Sequence, residues 1–207
     1  MIEIDVVSDF ICPWCHIGVA RLGRILDTMD PALYRLRFLP FELNPGMPAE
    51  GVERRRYRIW KFGSWEISQH LDRQTLAAAQ PDGIVIHYER IERTPNTRLA
   101  HRLSRAAWAE GCQRALVEGL FSAYFVDGRD IGAREALRDI ALASGMTAAA
   151  VDAVLDGQGE AESTADDLLK VAETGLDGVP FYIIGGRSHS GALPVERLRS
   201  LLTAAVS

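Results

Sequence analysis

Lysine is almost missing from this chain: of 23 basic side chains only Lys61 and Lys170 are lysines, and 28 acidic residues leave a formal net charge of −5. That balance argues against a nucleic-acid partner, whose phosphates call for an excess of basic charge. Long apolar runs are missing too. Charges interrupt every hydrophobic stretch before it reaches the roughly 20 residues needed to cross a bilayer, so no membrane partner is expected. Nothing resembling a signal peptide precedes the first strand pattern, Met1-Ile-Glu-Ile-Asp-Val-Val, which predicts a cytoplasmic protein. Cysteine is scarce, with three residues. Three cysteines in a cytoplasmic chain are too few for a disulfide scaffold, and a close pair among them points to catalysis, redox chemistry or metal binding.

What is present is ordinary for a globular protein, 47% apolar and 25% charged over 207 residues. The first 47 residues read as β-α-β. Ile2 to Ser8 is apolar and β-branched, Pro13 to about Met29 carries Ile17, Ala20, Leu22, Ile25 and Leu26 at helical spacing, and Tyr34 to Leu43 alternates again. From Pro48 to about residue 162 the pattern is helical, with helices expected over Thr97–Glu110, Cys112–Val126, Ala133–Ser144 and Thr147–Leu155. Gly83–Ile91 reads as an extended segment or short strand. After a helix over Ser163–Thr174, Phe181–Ile184 forms a strand, Gly185-Gly186 a hairpin turn and a short strand follows. Pro194–Val206 closes the chain as an amphipathic helix. The expected fold class is therefore α/β, a discontinuous domain of residues 1–47 and 163–207 interrupted by a helical insertion over 48–162.

The chemistry is concentrated in Cys12-Pro13-Trp14-Cys15-His16. Read literally, this is a redox dithiol, half of a zinc site or a c-type haem attachment. Zinc needs four ligands, and no second close pair follows: His16, His70, His87, His101 and His189 are scattered and Cys112 is alone. Haem attachment lacks its export context. A dithiol suits the position, because a thiol attacks as thiolate and Cys12 falls just before a helix beginning at Pro13, whose N-terminus favours negative charge. Cys12 is then the nucleophile and Cys15, one turn on, the resolving thiol. Cys112 shares a helical face with Leu116 and Leu120 and reads as a small core residue. No metal site is expected.

A second signal is Val179-Pro180 at the start of a strand, where a proline is unusual unless it marks an edge or a cis bond facing a functional site. The two motifs together resemble the thioredoxin superfamily. With "PFELNPGMP", "PNTRLAHRL", "LFSAYFVDGRDIG" and "GVPFYIIGGRSHSGALP", the resemblance narrows to the DsbA-like family, and within it to the FrnE-type branch related to 2-hydroxychromene-2-carboxylate isomerases and kappa-class glutathione transferases.

The resemblance implies a thioredoxin-like fold with an all-helical insertion, a dithiol at Cys12 and Cys15 tuned by Pro13, Trp14 and His16, and a substrate groove shaped by Val179 and Pro180. It implies a thiol–disulfide oxidoreductase or isomerase acting on protein or small-molecule disulfides without a bound prosthetic group, with glutathione a candidate co-substrate. Two departures stand out. Val6 occupies the place of the buried acid that assists the second thiol in thioredoxin and DsbA, leaving Glu42, Asp9 and His16 as candidates for proton transfer. Trp14 stands where DsbA has a histidine, so a DsbA's oxidising power does not carry over.

Competing readings are a glutathione-dependent isomerase or transferase, whose relatives use serine at the first cysteine position, and a non-enzymatic metal- or partner-binding module. Asn96 and Thr97, with Arg90, Arg93 and Arg98, are candidate contacts for a peptide or glutathione carboxylate, against a plainer role as helix cap and solvated face. Trp60 and Trp65 are expected in the core, with a groove or homodimer interface as the alternative.

Overall fold

The computed structural model describes residues 1–157, 164, 166–168, 171, 176 and 178–206. Its central sheet has the order β2-β1-β5-β6, built from β1 (Ile2–Ser8), β2 (Tyr34–Pro40), β5 (Phe181–Ile184) and β6 (Arg187–Ser190). β1 runs parallel to β2 from Ile2↔Tyr34 to Ser8↔Pro40 and antiparallel to β5 from Ile4↔Ile184 to Val7↔Phe181. A parallel pair requires a crossover connection, usually a helix, and α1 (Pro13–Leu26) supplies it. The antiparallel register brings the end of β1, which leads into Cys12, against the start of β5, which Pro180 precedes. The two sequence motifs, 167 residues apart, meet through this pairing.

Helices form close to where periodicity places them: α4 (Arg98–Ala109), α5 (Gln113–Phe125), α6 (Arg134–Ala143), α7 (Ala148–Leu155) and the closing α8 (Val195–Val206). The helix expected over Ser163–Thr174 lies largely outside the described residues. Gly185 and Gly186 take φ of 55° and 78° in the two-residue hairpin between β5 and β6, the left-handed pair such a tight turn demands.

Residues 48–96 are helical as expected, except that the short strand considered for Gly83–Ile91 does not form. α2 (Arg54–Phe62) and α3 (Trp65–Ala79) lie there, and Gly83–Ile91 forms no strand but irregular chain ending in a 3-10 turn at Tyr88–Arg90. α2, "RRRYRIWKF", carries too few apolar residues for a periodicity argument. It is set instead by the Glu53 carboxylate, which accepts from Arg55 N–H (2.8 Å) and Arg56 N–H (2.7 Å) as an N-cap. One short antiparallel pair, β3 (Val52–Glu53) with β4 (Arg93–Thr94), accompanies the helices.

The insertion is fastened to the sheet by buried polar contacts. Phe38 on edge strand β2 donates its N–H to Gln113 Oε1 and its carbonyl accepts from Gln113 Nε2, each 2.9 Å, so one side-chain amide substitutes for a neighbouring strand. Arg21 of α1 donates to Asp82 Oδ2 (2.7 Å), the Ala78 carbonyl (2.9 Å) and the Ala192 carbonyl (2.9 Å), tying the active-site helix to the end of α3 and to the segment before α8. Ile4, Leu22, Ile25, Leu103, Leu116, Leu120, Phe121, Tyr182 and Leu198 form one continuous core beneath these clamps.

Candidate active site

Cys12 is the N-cap of α1, with extended backbone (φ −90°, ψ 113°) and no capping bond from its side chain. Its carbonyl accepts the first helical bonds from Cys15 N–H (3.0 Å) and His16 N–H (3.2 Å), and its own N–H bonds the Asp9 carbonyl (3.1 Å). The sulfur is thus held at the positive end of a 14-residue helix without being consumed by it. Pro13 fills the first helical position, where a missing N–H leaves nothing unpaired. The Cys12 thiol lies 3.7 Å from the Val179 carbonyl, and the Val179–Pro180 peptide is cis.

Cys15 lies directly behind, fully buried. Burial pushes its thiol well above the ordinary range, and the hydrogen bond to Cys12 and the Cys12 charge push it the same way. The Asp9 backbone lowers it, while the Asp9 carboxylate raises it. Of the pair, then, Cys15 is the thiol that needs help to ionise.

Asp9 is buried with no exposure. Its Oδ2 accepts from Leu43 N–H (2.8 Å), and its Oδ1 faces His101 Nε2 at 3.5 Å. Neither of these facing atoms has a hydrogen-bond partner among the described residues. His101 comes from α4, its ring 4.8 Å from that of Phe10. In the sequence it is one of five scattered histidines. The available signal was a lone imidazole among Ala100, Leu103 and Ala107, the buried face of an amphipathic helix. Tyr182 completes the floor: its hydroxyl is buried and unpartnered among the described residues, and burial, then the Cys15 charge, raise its pKa.

The remaining candidates separate. His16 turns away from the sulfurs. Its Nε2 meets the Val85 carbonyl at 3.1 Å and its ring stacks on Phe125 (5.1 Å, 17°), so burial lowers its pKa against the partly opposing carbonyl. It anchors the insertion to α1. Glu42 is held by Arg98 through two bonds of 3.0 and 2.9 Å, and Asn96 donates to the Met47 carbonyl (2.7 Å) and caps Arg98 N–H (2.9 Å). Thr97 is buried with no capping bond from its side chain. Glu42, Asn96 and Thr97 do not line the cavity at Cys12, and of the arginines considered with them Arg90 bonds the Val126 carbonyl and Arg93 the Glu50 carbonyl.

That cavity, about 300 Å³, is walled by Cys12, Pro13 and Trp14 from α1 and by Tyr57, Arg58, Lys61, Thr75 and Tyr88 from the insertion. Trp14, 38% exposed, stands among its lining residues. Trp60, expected in the core, is 77% exposed, because it projects from the outer face of α2, while Trp65 is half-buried under the guanidinium groups of Arg54 and Arg55. Cys112 is half-buried at the N-cap of α5, less enclosed than Leu116 and Leu120. Among the described residues no three His, Cys, Asp or Glu side chains cluster as metal ligands, and no helix is long and apolar enough to cross a membrane.

A two-cysteine turn at a helix N-terminus, facing an X-Pro loop across a thioredoxin-like sheet, defines a dithiol protein of the thioredoxin class. The chain belongs to the DSBA-like thioredoxin domain family, whose profile matches residues 3–203; it is a DsbA-like thiol oxidoreductase at that level of description. A probable DsbA oxidoreductase from Streptomyces coelicolor is 28% identical, with 99% of this chain and 90% of that one covered at a TM-score of 0.86. The same fold recurs in a 2-hydroxychromene-2-carboxylate isomerase (20% identity, 98% and 93% covered, TM-score 0.73). It recurs again in the cytosolic disulfide reductase DsbM of Pseudomonas aeruginosa (18% identity, 99% and 95% covered, TM-score 0.66).

Proposed function

We propose that this protein is a cytoplasmic thiol–disulfide oxidoreductase that exchanges disulfides through Cys12 and Cys15, without a bound prosthetic group. The observation that carries the reading is the placement of Cys12 on the cavity wall beside Val179, with Cys15 fully buried behind it. The Cys12 thiolate attacks one sulfur of a substrate disulfide; a Cys12–substrate disulfide forms and the other substrate sulfur leaves as a thiol. Cys15 then gives up its proton and attacks the Cys12 sulfur. The Cys12–Cys15 bond forms, the second substrate sulfur departs, and the substrate has gained the two electrons that the dithiol has lost. Run backwards, the same steps oxidise a substrate dithiol.

Asp9 is the acceptor for the Cys15 proton in this scheme, and His101 is a positioning residue that acts through it. Both are buried, and Asp9 reaches Cys15 through its backbone and its charge. The titratable groups that interact with Asp9 include Cys12 at the N-cap of α1, Cys15 on α1 and Tyr57 on α2. Val179 aligns an extended substrate through its backbone, and Pro180 shapes the groove. Protein disulfides and small disulfides are the substrates, with glutathione the candidate co-substrate. Retention of both thiols favours exchange over a glutathione-dependent isomerisation, which has no use for a resolving cysteine. The test is reduction of insulin disulfides with a thiol reductant present: Cys12→Ala is expected to lose the activity, and full turnover by that variant contradicts the reading.

A further inference from the structure

Deep in the wall of the Cys12 cavity, one carboxylate serves two guanidinium groups. Asp72 on α3 accepts from Arg54 Nη2 through Oδ2 (2.7 Å) and from Arg58 Nη2 through Oδ1 (2.6 Å), so both its oxygens are engaged. The three side chains are only 9–14% exposed. Among the described residues no other carboxylate stands within ion-pair distance of either arginine. Arg58 spends its Nε on Ser68 Oγ (2.7 Å), a neutral acceptor, and lies over the Phe62 ring at 4.4 Å. Lys61, one turn further along α2, adds a third cation to the same lining, its Nζ bonded to the neutral Asn44 Oδ1 at 3.0 Å.

Three cations against one anion leave the pocket with positive charge unmatched by the protein, although the chain as a whole is negative. Removing charge from water is costly, and a site that tolerates an unmatched buried cation is ready to receive an anion. Burial lowers the Arg58 pKa; the Asp72 charge opposes that shift and the neighbouring Arg54 charge adds to it. The lining also carries an apolar and aromatic part, with Leu43, Tyr57, Tyr88 and Phe125 among it, which is suited to a compact apolar linker.

We propose that the cavity selects anionic disulfides: compact molecules or chain ends with a carboxylate a few atoms from the sulfur, which Arg58 and Lys61 hold while Cys12 attacks. This rests on the dithiol reading and names its substrate class. Neutral disulfides would still react; disulfides bearing an ammonium in that place would be disfavoured.

The experiment follows oxidation of the reduced protein, in single turnover, by 3,3′-dithiodipropionate, 2-hydroxyethyl disulfide and cystamine. These similar small disulfides carry two negative charges, none, and two positive charges. Each rate constant is divided by that of the same disulfide with dithiothreitol, which removes intrinsic reactivity. The expected result is an anionic-over-cationic preference of about tenfold or more at low ionic strength, shrinking with added salt. Lys61→Gln, at an exposed position, is expected to cut that preference by about threefold and Arg58→Gln by more. Equal normalised rates for the three disulfides in the wild-type protein, or a preference for cystamine, overturn the anionic class while leaving the dithiol reading intact. Failure of all three to oxidise Cys12 and Cys15 overturns the dithiol reading and this proposal with it.

Discussion

Asp9 Oδ1 and His101 Nε2 face each other 3.5 Å apart in the interior, one from the turn after β1 and the other from the helical insertion. Burying polar atoms without a hydrogen-bond partner is expensive, so a pair that faces each other in the interior calls for a reason. Their position behind the dithiol gives that arrangement its chemical meaning. Asp9→Asn is expected to slow closure of the Cys12–Cys15 bond by about 10²-fold, the low end of what a positioned base contributes. His101→Gln is expected to slow it less. With the acceptor gone, hydroxide must take the Cys15 proton, so the closure rate of Asp9→Asn should rise about tenfold per pH unit. A purely structural role for Asp9 would change stability without steepening that profile. Stopped-flow release of a thiol from the mixed disulfide, across pH, makes the measurement.

Thiol labelling separates the cysteines. Alkylation proceeds through the thiolate, and burial holds Cys15 protonated far above the ordinary range while also raising Cys112. Native protein treated with iodoacetamide at about pH 8 should label at Cys12 first, with Cys15 at least about tenfold slower. Peptide mapping by mass spectrometry reads the order.

Much of this arrangement was legible in the sequence, and the reason differs from part to part. The strand-Cys-x-x-Cys-helix start and the Val-Pro strand entry are local signals, tied to turn and cap geometry, and the sheet register brings the two segments together. Asp9 was visible as a candidate, beside Glu42 and His16, because Val6 stands where the resemblance calls for a buried acid. His101 was not, because its relation to Asp9 depends on how α4 packs against the turn after β1, and no spacing encodes that. Arg58 and Asp72 were hidden for the same reason: a cation-rich helix reads as a solvated face until its packing partner is known. Glu42 and Asn96 were drawn off by Arg98 and the Met47 carbonyl, competition that only the folded chain reveals.

Gly18 lies where α1 crosses the floor of the site. A methyl group there would collide with the Tyr182 hydroxyl and stand 3.2 Å from Pro180 Cγ. Gly18→Ala should therefore destabilise the fold by about 1–3 kcal/mol through overpacking, despite alanine's better helix propensity. Tyr182→Phe in the same chain should recover part of the loss by removing the colliding oxygen. Urea denaturation of the two variants and the double variant tests both statements.

His16 predicts a pH dependence of stability. Burial lowers its folded pKa below the ordinary 6.5, so once pH falls beneath that value the unfolded chain binds a proton that the native state does not. The contribution of neutral His16 is present above the unfolded value and is lost as pH falls through the window towards the lowered folded value. Relative to His16→Gln, the wild-type protein should lose stability between roughly pH 7.5 and pH 5.5, and urea midpoints at the two pH values measure it. A constant difference between the proteins would place the His16 charge outside this balance.

The most direct test of the account is the covalent state of Cys15→Ala after exposure to a small disulfide. With Cys12 as nucleophile and no resolving thiol, the protein should accumulate a single mixed disulfide, and peptide mapping should find it on Cys12. The same treatment of Cys12→Ala should leave Cys15 unmodified. An adduct on Cys112 in place of Cys12 in the Cys15→Ala protein, no adduct on that protein at all, or an adduct on Cys15 in the Cys12→Ala protein would contradict the assignment of Cys12 as the attacking thiol.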